Sequence, residues 1–217
     1  MRKKAGSISG QNISNNLRPY AILMIVSALL IPSVAESQRA QPLNCVGGSI
    51  DAPIRLEVYS DFQCPACARF FLEVVTPAVK EYGDSGKICV LYNEFPLNGH
   101  KYSREAARYS LAAQRLGRRQ WLAVIRALYQ KQPMWVENGD IDGALRGVVS
   151  AGDLARIKRI AGEPSIRDAV SREVALGEKR EIRSTPTIFV TAHNKTQKIE
   201  QLMPYEVWKD YFDDNLK

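Results

Sequence analysis

Residues 54–67, Ile-Arg-Leu-Glu-Val-Tyr-Ser-Asp-Phe-Gln-Cys-Pro-Ala-Cys, constrain the fold more than any other stretch of the chain. Ile54, Leu56 and Val58 alternate with Arg55, Glu57 and Tyr59, the pattern of a strand with at least one buried face. The strand ends in Cys64 and Cys67. Beyond them Phe70, Phe71, Val74, Val75, Ala78 and Val79 recur at helical spacing, so the chain turns directly from strand into helix. Unpaired backbone N–H groups and the positive end of the dipole at that helix start favour a thiolate at Cys64.

A second β-branched and aromatic run at 87–95 follows Gly83 and Gly86 and contains Cys89. Strand, helix and strand at this spacing call for a right-handed parallel crossover. Pro77 lies inside the helical pattern, where a missing donor and a crowded ring predict a kink. From Tyr102 to about Arg183 the signals are helical. Ala106, Ala107, Ser110, Ala113 and Leu116 form one stripe, and Trp121, Val124, Ile125 and Leu128 another. Asp140 and Asp153 read as N-caps, and Pro164-Ser165 opens a further helix. Strand character returns at Arg183–Val190, with a turn around His193-Asn194-Lys195 and a partner strand expected at 197–202. Pro204 then opens a last helix carrying Val207, Trp208, Tyr211, Phe212 and Leu216 on one face.

The first 35 residues read as an export leader. Arg2, Lys3, Lys4 and Arg18 make it basic, Tyr20 to Ile31 is apolar and uncharged, and Ser33-Val34-Ala35 offers a cleavage site. The apolar run is shorter than the ~20 residues of a membrane span, and an uncleaved leader would instead act as an N-terminal anchor. Residues 36–53, with Pro42, Gly47, Gly48 and Pro53, read as a loosely structured lead-in. The whole chain carries 30 basic and 23 acidic residues. Four of the basic ones lie in the leader, so the exported part is only slightly basic, which argues against a nucleic-acid-binding surface.

All four cysteines lie in the exported part, where disulfides persist. Four cysteines allow three pairings, and if Cys64 pairs with Cys67 the only other bridge is Cys45 to Cys89. Cys45 and Cys89 read either as that bridge or as two core thiols. A lipid-modified Cys45 is disfavoured by the preceding Leu43-Asn44. A zinc site would need two more ligands, and neither His100 nor His193 has ligand-like spacing, so no metal and no cofactor is expected.

Taken together, Val58–Cys67, Asn93-Glu94-Phe95-Pro96-Leu97, Glu105-Ala106-Ala107 and Ser184-Thr185-Pro186-Thr187 resemble the DsbA-like extracytoplasmic thiol–disulfide oxidoreductases of the thioredoxin superfamily. The likeness spans nearly all of residues 50–217. It implies an α/β thioredoxin fold over 54–100 and 184–217, with an all-helical domain inserted at 101–183 as a substrate-facing lid.

The resemblance further implies that Cys64 attacks, that Cys67 resolves the mixed disulfide, and that Thr185-Pro186 is a cis peptide beside them. Thr185, with Pro65 and Ala66, would contact an extended substrate strand. Pro65 and Ala66 carry no charge, so the poise of the pair must come from the helix end and its neighbours. Glu57 would be a partly buried acid below the cysteines that moves protons for Cys67; on the residues alone it reads equally as a solvated strand residue. Expected partners are reduced or mispaired exported proteins and a membrane-bound redox protein, with the chain itself a monomer. Oxidation of clients is the favoured direction. The alternatives are a reductase or isomerase of the same fold, or a peptide-binding module without turnover.

Overall fold

The computed structural model describes residues 45–217, so the leader expected at 1–35 and the first part of the lead-in lie outside the described residues. The described residues form a five-stranded sheet of β1 (Cys45–Gly48), β2 (Ile54–Ser60), β3 (Ile88–Glu94), β4 (Thr187–Ala192) and β5 (Lys195–Ile199), in the order β1-β3-β2-β4-β5. β2 and β3 are parallel and pair from Ile54↔Ile88 to Ser60↔Glu94, while β4 and β5 add antiparallel. Their register brings the C-terminal ends of β2 and β3 to one edge of the sheet. Cys64 follows directly there.

Residues 45–48 differ from the unstructured lead-in the sequence predicts, because they pair antiparallel with β3 at the sheet edge. Their two consecutive glycines hide the strand from any alternation test. Gly48 has φ +92°, and a Cβ on it would fall 1.7 Å from the Ile88 carbonyl oxygen, so only glycine lets β1 lie this close. Cys45 and Cys89 are joined by a disulfide across this pair.

The helix after Cys64 starts as α1 (Pro65–Phe70) and does not simply kink at Pro77. It widens into π-type turns at Phe71–Val75 and Val79–Gly83, on either side of α2 (Thr76–Ala78). The Thr76 N–H reaches back five residues to the Phe71 carbonyl, and the Thr76 hydroxyl donates to the same oxygen at 3.0 Å. Pro77, which has no N–H to contribute, sits in α2 between the two widened turns. Phe70, Phe71, Val74, Val75 and Ala78 remain buried.

Between β3 and β4 stand α3 (Ser103–Leu116), α4 (Arg118–Gln130), α5 (Gln132–Trp135), α6 (Ile141–Leu145), α7 (Ala151–Ala161) and α8 (Pro164–Lys179); α9 (Tyr205–Asn215) closes the chain. Asp140 caps α6 by accepting from the Gly143 N–H at 2.8 Å. The cap of α7 is Ser150 rather than Asp153, whose own N–H donates to the Ser150 hydroxyl at 3.0 Å. A serine three residues upstream therefore takes the role that the aspartate predicts.

The hairpin is also tighter than expected. His193 and Asn194, at φ 48° and 61°, form a two-residue turn, and β5 begins at Lys195. Positive φ at both positions matches the twist of the flanking strands, and asparagine adopts it more readily than most residues with a side chain.

Side chains of β2 alternate between two apolar clusters. Ile54, Leu56 and Val58 join the main core with Phe71, Tyr92, Tyr129 and Trp208. Tyr59 joins a smaller cluster of Phe95, Ile182 and Phe189 on the other face. At Gly177 a Cβ would fall 2.5 Å from the Phe95 ring, so α8 can press on this second cluster only at a glycine. Among the described residues no helix is long and apolar enough to cross a membrane.

Candidate active site

Cys64 is the N-cap of α1 and Pro65 its first helical residue, a position where a missing N–H costs nothing. The Cys64 side chain is 8% exposed and Cys67 is fully buried behind it; both are free thiols. The thiol of Cys64 donates to the Thr185 carbonyl at 3.3 Å. The Thr185–Pro186 peptide bond is cis. Thr185 and Pro186 immediately precede β4, which pairs with β2, and this pairing brings them to the dithiol.

The two sulfurs differ sharply in acidity. The Cys67 thiol beside it is the largest influence holding the Cys64 thiol down to about 6; burial works against this, and the N–H groups of Cys67 and Ala66 and the Thr185 side chain assist. Those N–H groups belong to the first turn of α1, where no helical carbonyl is available to them. Cys67 is pushed up strongly by burial first and by Cys64 second. One thiol thus ionises near neutral pH while its partner keeps its proton.

Asp61 and two glutamines hold the loop that carries Cys64. The buried Asp61 carboxylate accepts from the N–H of Gln63 at 2.7 Å, the N–H of Leu97 at 2.7 Å and the Ser103 hydroxyl at 2.5 Å, and it pairs with His100 Nδ1 at 2.9 Å. Its own N–H donates to the Cys67 sulfur at 3.5 Å. Gln132 of α5 donates to the carbonyls of Phe62 at 2.7 Å and Cys64 at 3.2 Å. Gln63 donates to the Val136 carbonyl at 3.1 Å and accepts from the Tyr102 N–H at 2.5 Å. The helical block therefore grips the active loop through backbone groups that would otherwise be unpaired in the interior. Sequence reasoning gave these residues no role, although an aspartate just past a strand end, three residues before the cysteine that caps the next helix, is a local turn signal.

Glu57 does not join the thiols. Its carboxylate pairs with Arg180, which lies 3.5 Å over the Phe189 ring, and with Arg55 at 3.6 Å. Because side chains alternate along β2, Glu57 faces away from the side to which Ser60 points. The expected acid below the cysteines is thus an ion-pair member on the opposite face. The buried acids among the described residues are Asp61, whose N–H reaches the Cys67 sulfur, and Glu94 at the end of β3; sequence reasoning gave neither a role. Among the described residues no group of three or more His, Cys, Asp or Glu side chains is placed to hold a metal ion.

Comparison with known proteins fits this architecture. The thioredoxin family model matches residues 41–214. Disulfide bond formation protein D of Bacillus subtilis is 25% identical over 190 residues, covering 83% of this chain and 79% of that protein. A probable protein of the same name from Bacillus cereus is 25% identical over 150 residues, covering 67% of this chain and 69% of its own. The crystal structure of Wolbachia pipientis α-DsbA1 superposes with a TM-score of 0.66 at 21% identity, covering 78% of this chain and 88% of that one. Oxidised BdbD from Bacillus subtilis gives a TM-score of 0.65 at 24% identity, covering 78% and 91%. The chain belongs to the thioredoxin family, and it is a thiol–disulfide oxidoreductase with the fold seen in DsbA structures.

Proposed function

We propose that the protein introduces disulfides into reduced exported proteins through Cys64 and Cys67. The observation that carries this reading is the asymmetric dithiol: Cys64 at the start of α1, held down to about 6, with Cys67 buried and held protonated behind it. A stable Cys64 thiolate favours the reduced enzyme, and an enzyme with a stabilised reduced form is a strong oxidant of its clients.

In the first step a client thiolate attacks Cys64 Sγ of the oxidised protein. The Cys64–Cys67 bond breaks, its electron pair passes to Cys67, and a client–Cys64 disulfide forms. A second client thiolate then attacks the client sulfur of that bond. It forms the client disulfide and releases Cys64 as the thiolate, so two electrons pass from client to enzyme. The client backbone lies along Thr185, beside Pro186, with Pro65 and Ala66 flanking the reacting sulfur. The enzyme works outside the cytoplasm, where a leader at residues 1–35 would deliver it, with the helical insertion over residues 101–183 as a lid. A membrane-bound redox protein takes the two electrons and restores the disulfide.

The test is trapping. Cys67→Ser protein, oxidised with a small disulfide at Cys64 and mixed with a reduced, cysteine-bearing unfolded protein, accumulates a reductant-sensitive adduct at Cys64, and Cys64→Ser forms none. If the Cys67→Ser protein forms no adduct, the reading is wrong and the scaffold binds peptides without turnover.

A further inference from the structure

When a client thiolate attacks Cys64, the electron pair of the broken bond lands on Cys67, a residue with no exposed surface. Negative charge on that sulfur has no water to hydrate it, so a donor already in place must take the part of water. The Asp61 N–H is such a donor, 3.5 Å from the Cys67 sulfur. Burial works most strongly against a charge on Cys67, and this N–H works in its favour.

The peptide group that carries the donor is fixed at its other end as well. It joins Ser60 to Asp61, and the Ser60 carbonyl accepts from the Phe95 N–H at 2.8 Å. A carbonyl engaged in this way polarises its own peptide group and strengthens what the N–H gives. The next carbonyl, that of Asp61, accepts from the Cys64 N–H at 3.2 Å. The backbone of Asp61 therefore meets both cysteines, Cys67 at its sulfur and Cys64 at its main chain.

The Asp61 side chain keeps that backbone in place. Besides the neighbouring Gln63 N–H, its buried carboxylate accepts from the Leu97 N–H at 2.7 Å and from the Ser103 hydroxyl at 2.5 Å. His100 Nδ1 lies 2.9 Å away, out of line for a directed hydrogen bond. Phe95, Leu97, His100 and Ser103 all belong to the connection that leads from β3 into α3. That connection is closed on itself, with the His100 N–H donating to the Leu97 carbonyl at 3.1 Å and the Ser103 N–H to the His100 carbonyl at 3.3 Å. A rigid segment from outside the cysteine loop thus sets where the Asp61 N–H points.

We propose that Asp61 is a positioning residue of the exchange reaction: bound by residues 95–103, its side chain holds its own N–H on Cys67, where it stabilises the leaving sulfur. The client sulfur forms its bond to Cys64, the Cys64–Cys67 bond breaks, and the electron pair passes to Cys67 as the N–H contact tightens. No proton moves to or from the carboxylate in this step. A sulfur whose charge is better held leaves faster, and the same contact serves the reverse step, in which Cys67 attacks the mixed disulfide. This inference rests on the dithiol chemistry proposed above and adds the group that assists its bond-breaking step.

The experiment uses Asp61→Ala, which leaves the N–H in the chain and removes the carboxylate that places it. The rate at which glutathione reduces the oxidised protein at pH 7 should fall about tenfold or more, the worth of one hydrogen bond to a charged group. The equilibrium constant with glutathione and the titration of Cys64 in the reduced protein should stay at their native values, because Cys67 carries charge only as the bond breaks. A scaffold that is merely loosened would move all three. Ser103→Ala removes one of the ties to Asp61 and should slow the reaction about threefold, again without moving the equilibrium; it carries the test if Asp61→Ala does not fold. A native rate in Asp61→Ala overturns the proposal, as does a loss of rate matched by an equal loss in the equilibrium constant. A native rate in Ser103→Ala overturns the control by residues 95–103. If glutathione does not reduce the native oxidised protein at all, the functional reading itself fails, an outcome distinct from the others.

Discussion

The acidity of Cys64 has a thermodynamic consequence that can be measured without any client. In the folded, reduced protein this thiol is held down to about 6 from an ordinary 9.0. Between those values the unfolded chain keeps the proton while the folded chain has released it. Stability of the reduced protein therefore rises with pH across this window, is fully present above pH 9, and is lost as pH falls through 6. The full difference corresponds to at most about 4 kcal/mol, of which about 1.4 kcal/mol is in place at pH 7 and about 2.7 kcal/mol at pH 8. The perturbation is Cys64→Ala, compared with the native protein under strong reductant by urea unfolding from pH 5 to pH 8. Below pH 8 Cys67 keeps its proton whether folded or unfolded, so it does not confuse the comparison. The gap between the two proteins should widen by about 1.4 kcal/mol from pH 5 to pH 7 and by more than 2 kcal/mol by pH 8. Profiles that run parallel over this range would refute the claim that the fold stabilises the thiolate. The 1.4 kcal/mol at pH 7 corresponds to about 30 mV of oxidising power.

Two further outcomes concern the scaffold. Replacing Cys45 with serine opens a disulfide whose cysteines are separated by 44 residues, which should lower stability by about 4 kcal/mol if chain entropy dominates, read by urea unfolding; a change under 1 kcal/mol would mean that β1 holds its place on β3 unaided. Gln132→Ala removes the donor shared by the buried Phe62 and Cys64 carbonyls and should cost about 1–3 kcal/mol, with faster hydrogen exchange in the 61–64 loop; an unchanged exchange rate there would show that Asp61 holds the loop alone.

Much of this architecture is legible in the sequence because its signals are local. The alternation at 54–58, the cysteine pair at a helix start, the apolar stripe at 70–79 and the Thr185-Pro186 segment each show in a short window. The pairing of Cys45 with Cys89 stood open among alternatives and depends on β1, which two glycines conceal.

What is not legible is long-range. Ser60 meets Tyr129, Gln63 meets Val136, and Gln132 reaches back to Phe62. No periodicity marks a polar side chain that is buried because a helix from elsewhere in the chain closes over it. Glu57 and Glu94 make the point together. Both are acids in strands, and alternation alone cannot say which face of a sheet is covered by arginine and which by a dry core. The arginine that claims Glu57 comes from the end of α8, and the surroundings that leave Glu94 unpartnered come from α3 and α8.

The measurement that bears most directly on the whole account is the reduction potential of the Cys64–Cys67 pair, obtained by equilibrating the purified protein with glutathione redox buffers. An oxidant of exported proteins, with its reduced form stabilised at Cys64, should lie near the DsbA value of about −120 mV. A value near the thioredoxin level of about −270 mV would contradict the proposed direction and make the protein a reductant of its clients.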